Sequence, residues 1–149
     1  MGYRSEVAYR IVFDTEEVMQ LFITEAKVKE ETERVFKDAE EDGDFPDGVI
    51  RISVREKEIS FHATGWKWYD EYPQVQAHLA LLDLAREYNI REVEVNKTEH
   101  DGTEVTELQE ANDIQYAFAR IGEEQEDVDT WGSDDYWELL DVERRIVWN

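Results

Sequence analysis

Between Gly65 and Pro73 the apolar pattern of this chain changes its period, and that change constrains what can be built on either side. Before the junction, Ile50, Ile52 and Val54, then Ile59, Phe61 and Ala63, alternate with polar neighbours as paired strands do. After it, Val75, Leu79, Leu82 and Ala85 recur at helical spacing, with Pro73 in the first-turn position that proline favours. The junction itself crowds Trp66, Trp68, Tyr69 and Tyr72 into seven residues. A hairpin therefore ends there and a helix begins.

The same reasoning orders the rest of the chain. Val7, Tyr9, Ile11 and Phe13 alternate with Ala8, Arg10 and Val12, which predicts a strand buried mainly on one side. Asp14 is placed as an N-cap with Glu17 three residues on, and one long amphipathic helix is expected from Thr15 to about Ala39. The hairpin and the helix running to Tyr88 follow, with Asn89 as a left-handed stop and Glu92 to Val95 as a short strand. The resulting order, β-α-β-β-α-β, predicts an α+β, ferredoxin-like antiparallel sheet over residues 1–98 with two helices on one face. Residues 99–149 are expected to add an acidic, β-rich extension within the same single domain. Within it, 99–112 is ambiguous between strand and helix, Gln115–Ile121 reads as extended, Gly122 as a turn, and Asp127–Trp131 and Leu139–Trp148 as further strands.

Composition narrows the function classes. Five Trp, seven Tyr and six Phe in a chain that is 41% hydrophobic predict a folded domain despite a net charge of −22. There is no cysteine, so neither disulfides nor thiolate metal sites are expected. No apolar run approaches the roughly 20 residues of a membrane span, and no secretory signal opens the chain. The charge is uneven: residues 92–143 carry eighteen acids against Lys97 and Arg120 alone, a net −16. Such a field repels nucleic-acid phosphates and anionic membranes and attracts basic protein surfaces. Direct nucleic-acid or membrane binding is not expected.

Three constellations offer chemistry. The acids Glu123, Glu124, Glu126, Asp127 and Asp129, with Asp134, Asp135 and Trp137, combine carboxylates with large apolar side chains, as a surface for a basic protein does; a merely solvated face is the competing account. Trp66, Lys67, Trp68 and Tyr69, with Arg4 and Arg10, form an alternative set that would stack a nucleobase and meet its phosphate. Packing of those rings between sheet and helix competes, as does pairing of Arg10, Arg51 and Arg55 with Glu6, Glu56 and Glu58. Asp42, Asp44 and Asp47 invite a calcium reading but miss the EF-hand spacing. His62, His78 and His100 do not lie at metal-ligand spacing, and no nucleophile elbow, phosphate loop or dinucleotide fingerprint occurs. No catalytic residue, metal or cofactor is expected.

The opening Met1-Gly2-Tyr3-Arg4-Ser5, the central Lys67-Trp68-Tyr69-Asp70-Glu71-Tyr72-Pro73 and the later Ala119-Arg120-Ile121-Gly122-Glu123-Glu124 resemble a family of small uncharacterised acidic proteins of tailed bacteriophages. The resemblance implies an origin and no activity. With the charge, it leads to the expectation of a non-enzymatic protein in the cytoplasm of an infected host cell. Its partner would be the basic surface of a host nucleic-acid-handling or anti-phage defence protein, met by an acidic surface that mimics DNA. Sequestration of a nucleotide immune signal is the alternative.

Overall fold

The computed structural model describes residues 3–40, 48–69, 71–89, 92–110, 114–124, 126–134, 138–142 and 146–148. Strand β1, Ser5–Val12, is the centre of an α+β fold. Its alternation assigns the faces: Val7, Tyr9 and Ile11 are fully buried on one side, and Glu6, Ala8, Arg10 and Val12 occupy the other. Both sheet neighbours come from far along the chain, β3 (Glu58–Trp66) and β6 (Gln115–Ile121), each antiparallel to β1. With β2 (Gly48–Ser53) beside β3 and β7 (Val128–Gly132) beside β6, the sheet has five antiparallel strands in the order β2-β3-β1-β6-β7.

Register sets what the helices cover. Tyr9 lies opposite Phe61 on β3 and Phe118 on β6, while Ile11 lies opposite Ile59 and Tyr116. Helices α1 (Glu16–Val28), α2 (Glu33–Glu40) and α3 (Pro73–Tyr88) bury Met19, Phe22, Phe36, Leu81 and Leu82 against this face. Each such side chain contributes about 1.5–3 kcal/mol on burial. Behind the sheet Ala8, Ala117 and Ala119 leave a shallow surface, and Leu139 and Leu140 pack into it. Leu140 opens β8 (Leu140–Val142), which pairs with β9 (Ile146–Trp148).

Three local readings change. The long helix breaks into α1 and α2. Between Ala26 and Val35 every residue but Val28 and Thr32 is charged, and Val28 is exposed, so no apolar side chain carries the stripe across that stretch. Thr32 is instead buried and its hydroxyl donates to the Ala26 carbonyl at 2.7 Å, closing α1. The N-cap is Thr15, whose Oγ1 accepts from Val18 N–H at 3.3 Å, and not Asp14. Asn89 keeps right-handed angles and uses its Oδ1 to accept from Ile114 N–H at 2.9 Å. The β2–β3 turn lacks glycine because Lys57 takes the left-handed place at φ 58°, and its carbonyl accepts from Phe13 N–H.

The largest change concerns sheet order. Glu92–Val95 is the expected closing strand of a β-α-β-β-α-β run, yet among the described residues β4 (Glu92–Thr98) pairs with β5 (Glu104–Glu110) in a separate hairpin that lies against α1. Residues 104–110 are strand with no helix among them. The place beside β1 belongs to β6. That strand has Tyr116 and Phe118 for the helix-covered face and Ala117 and Ala119 for the close approach of Leu139, a division Val93 and Val95 do not offer.

Candidate functional site

The turn joining β6 to β7 is cross-tied to the first described residues of the chain. Tyr3 donates its hydroxyl to Asp127 Oδ2 at 2.6 Å and accepts from Glu124 N–H at 3.0 Å. Its own backbone N–H donates to the Tyr69 hydroxyl at 2.6 Å, and Arg4 N–H donates to Glu123 Oε1 at 2.8 Å. Gly122 makes this approach possible: a Cβ there would stand 2.1 Å from Asp127 Oδ2 and 2.3 Å from the Tyr3 hydroxyl. The far end of β7 is clamped as well, because Ser133 N–H donates to the Tyr116 carbonyl and Tyr116 N–H to Ser133 Oγ.

Arg120 closes the network from below. It sits opposite Asp129 in the β6–β7 register, so both side chains rise on the helix-covered face. Its Nη1 donates to Ser5 Oγ and Asp127 Oδ2, its Nη2 to Asp127 Oδ1 at 2.5 Å and Asp129 Oδ2 at 2.8 Å, and its Nε to Asp129 Oδ2 at 3.0 Å. All five guanidinium N–H donors are thereby used. The hydrogen bond to Asp127 is the main reason the Arg120 pKa rises above its ordinary value. Conversely, donation from Arg120 and then from Tyr3 holds the Asp127 carboxyl below the usual carboxylate range. The Tyr3 phenol is pushed up, chiefly by its hydrogen bond to Asp127. At neutral pH Arg120 and Asp127 are therefore held as an ion pair, and the Tyr3 phenol stays protonated as a donor to it.

Beside this network opens a cleft of about 460 Å³. Trp68, Phe118 and Trp131 form its walls; Phe118 and Trp131 stack at 4.9 Å and 22°, and Trp68 stands 6.0 Å from Phe118. Tyr3, Tyr69 and Leu79 extend the lining. Its charged groups are Arg120, Asp127, Asp129 and Glu71, a net −2. Glu71 is exposed and has no hydrogen-bond or ion-pair partner among the described residues. Among the described residues Asp129 is engaged through Oδ2 alone, with its side chain 58% exposed.

Trp68 also borders a sealed aromatic box. There His78 lies among Phe61, Trp66, Trp68 and Tyr9, its Nδ1 2.7 Å from the Tyr9 hydroxyl. Burial pushes its pKa down to about 3, so the imidazole is neutral and its ring lone pair can accept the Tyr9 proton.

The residues expected from sequence separate. Glu123, Glu124, Glu126, Asp129 and Asp134 are exposed and Asp127 is half-buried, all on the β6–β7 turn and β7 or just beyond it; Asp135 and Trp137 lie outside the described residues, as do Asp42, Asp44 and Asp47. Of the alternative ligand set, Trp68 and Tyr69 line the cleft. Trp66 packs on Phe61 and His78, Lys67 is exposed, and Arg4 donates to the Gly65 carbonyl at 2.6 Å. Arg10 is on the opposite face of the sheet, ion-paired with Glu58 and donating to the Leu139 carbonyl. Arg51 is exposed on that face too, and Glu6 meets His62 at 3.0 Å.

Sequence reasoning passed over Arg120, Phe118, Trp131 and Glu71. A signal for the first was present: Arg120 precedes Gly122 by two and faces two acids spaced by two, which a tight hairpin at Gly122 brings to one side. Set against known proteins, the chain matches no family model, no curated protein and no solved structure.

Proposed function

We propose that this chain is a non-enzymatic binding protein whose acidic turn and edge strand, Glu123 to Asp129, dock on the basic surface of another protein. The observation that carries this reading is the tying of the turn to Tyr3, Arg4 and Arg120 through the Glu123 and Asp127 carboxylates and the Glu124 backbone N–H. Carboxylates needed only for solubility gain nothing from being positioned. A preorganised set avoids the ordering cost of association and competes with phosphates for Lys and Arg on a partner. The resemblance read in the sequence to proteins of tailed bacteriophages directs the choice of partner, in this proposal, to host nucleic-acid-handling or anti-phage defence proteins in the cytoplasm of an infected cell. We read the frame as a ferredoxin-like sheet in which β6 takes the fourth strand's place, with β4–β5 inserted and β7–β9 appended; that frame carries no function by itself.

A nucleotide ligand is the lesser reading. The cleft has aromatic walls, but its one cation has every donor occupied and three carboxylates share the site. The test is capture of host proteins on immobilised wild type and on a Glu123→Gln, Glu124→Gln, Glu126→Gln variant, at low and high salt. Specific partners should be basic proteins that are lost from the variant, lost at high salt and displaced by double-stranded DNA. Capture indifferent to salt and to neutralisation would remove the reading, and saturating nucleotides that raise thermal stability would put the lesser one in its place.

A further inference from the structure

The walls and charges of the cleft fit a particular visitor. Three aromatic rings and an unmatched negative charge attract a cation, and the built-in guanidinium shows what the site can no longer do: it has no N–H left for an anion. What remains open is acceptor capacity, at Asp129 Oδ1 and at Glu71. Trp131 sits on the edge strand β7, so the aromatic wall reaches the same rim as the exposed acids of the turn.

We propose that the cleft receives an arginine side chain of the basic partner, its guanidinium lying against Trp131 and Trp68 and donating to Asp129 and Glu71. This deepens the reading of the acidic turn as a docking surface and rests on it. Arginine is favoured over lysine because a planar, weakly hydrated guanidinium stacks on aromatic rings and presents forked donors to two acceptors, whereas an ammonium is a strongly hydrated point charge. The division of labour follows: Glu123, Glu124 and Glu126 draw in any basic chain, and the cleft selects the side chain.

The experiment is titration of the full chain, followed by calorimetry and tryptophan fluorescence, with two blocked peptides of equal charge, one carrying arginines separated by glycines and the other lysines. The arginine peptide should bind about fivefold more tightly. Trp131→Ala should abolish that preference by weakening the arginine peptide more than the lysine peptide, and neutralising Glu123, Glu124 and Glu126 should weaken both peptides alike. Since Trp131 also packs on the core, Glu71→Gln at an exposed side chain provides a second route, expected to weaken the arginine peptide about threefold and the lysine peptide less. Equal affinities, or an arginine preference that survives both variants, would overturn the assignment of the cleft while leaving the acidic surface standing. Failure of both peptides to bind at low salt would overturn the surface and the cleft together.

Discussion

Among the described residues, two hairpin turns are acidic and contain a glycine, and they are built differently. The β4–β5 turn closes on itself: Gly102 takes φ 86°, Thr103 N–H donates to Asp101 Oδ1, and Glu99 N–H donates to the Thr103 carbonyl. Residues 98–106 are exposed throughout. The β6–β7 turn is tied to Tyr3 and Arg4, more than a hundred positions away, and to Arg120 beneath it. A run of carboxylates is therefore a solvated loop in one case and a positioned array in the other. Charge count does not separate them; what the neighbouring aromatic and cationic side chains do with the charge does.

Acid offers the largest perturbation, and it must first be cleared of a contribution that belongs to neither turn. His78 has a folded pKa below its unfolded value near 6.5, so its contribution is fully present above 6.5 and is lost as the pH falls toward about 3. One proton bound on unfolding gives a slope of about 1.4 kcal/mol per pH unit, or about 3 kcal/mol between pH 6.5 and 4. Denaturant melts across that range should show this slope in the wild type and lose it in His78→Gln, which keeps an acceptor for Tyr9. In that background the Asp127 carboxyl, depressed by Arg120, should keep the β6–β7 turn intact above the ordinary carboxylate range and release it only as the pH falls through its folded pKa.

Removing Arg120 should distinguish the turns next most strongly. Arg120→Ala leaves Asp127 and Asp129 facing one another without their cation, at a cost of about 2 kcal/mol once the partial exposure of both carboxylates is allowed for. Asp101→Asn in the other turn should leave the unfolding midpoint unmoved. A smaller contrast comes from the glycines. Gly102→Ala meets no atom within 4 Å and suffers only its positive φ, about 1 kcal/mol, whereas Gly122 has no positive φ and its replacement by alanine must instead push Asp127 and Tyr3 apart. The second should be the more destabilising and should not add to Tyr3→Phe in a double-mutant cycle. The finest measure is amide hydrogen exchange, expected to be slower at Gly122 and Glu124 than at Gly102 and Thr103.

What could be read in advance follows from how local each determinant is. The strands β1, β3 and β6 and the helix α3 announce themselves because their alternation or helical spacing needs only neighbouring residues. The break after Val28 does not, since it depends on Thr32 turning back to Ala26 inside a packed site. Strand order was the hardest: Val93 and Val95 alternate as well as Tyr116 and Phe118 do, and the choice between them rests on the helices' demand for bulk and on Leu139 behind the sheet. The Asp101-Gly102 dipeptide was a readable hairpin signal for β4–β5. In the site, Asp127 and Asp129 were legible as acids. Their partner was harder to read: the spacing of Arg120 from Gly122 and the two acids carries a signal, but it gains meaning only when the register sets Arg120 opposite Asp129.

The central place of β1 also governs how the molecule can assemble. One of its two sheet neighbours begins at Gln115, so a nascent chain must extend past that residue before the strand can be flanked on both sides. Until then Val7, Tyr9, Ile11 and Phe13 form a sticky ribbon with an unpaired edge, the kind of segment that chaperones hold and that seeds aggregation during synthesis. Contacts spanning so much sequence make for slow refolding as well, on the millisecond-to-second scale of topologies rich in distant strand pairs.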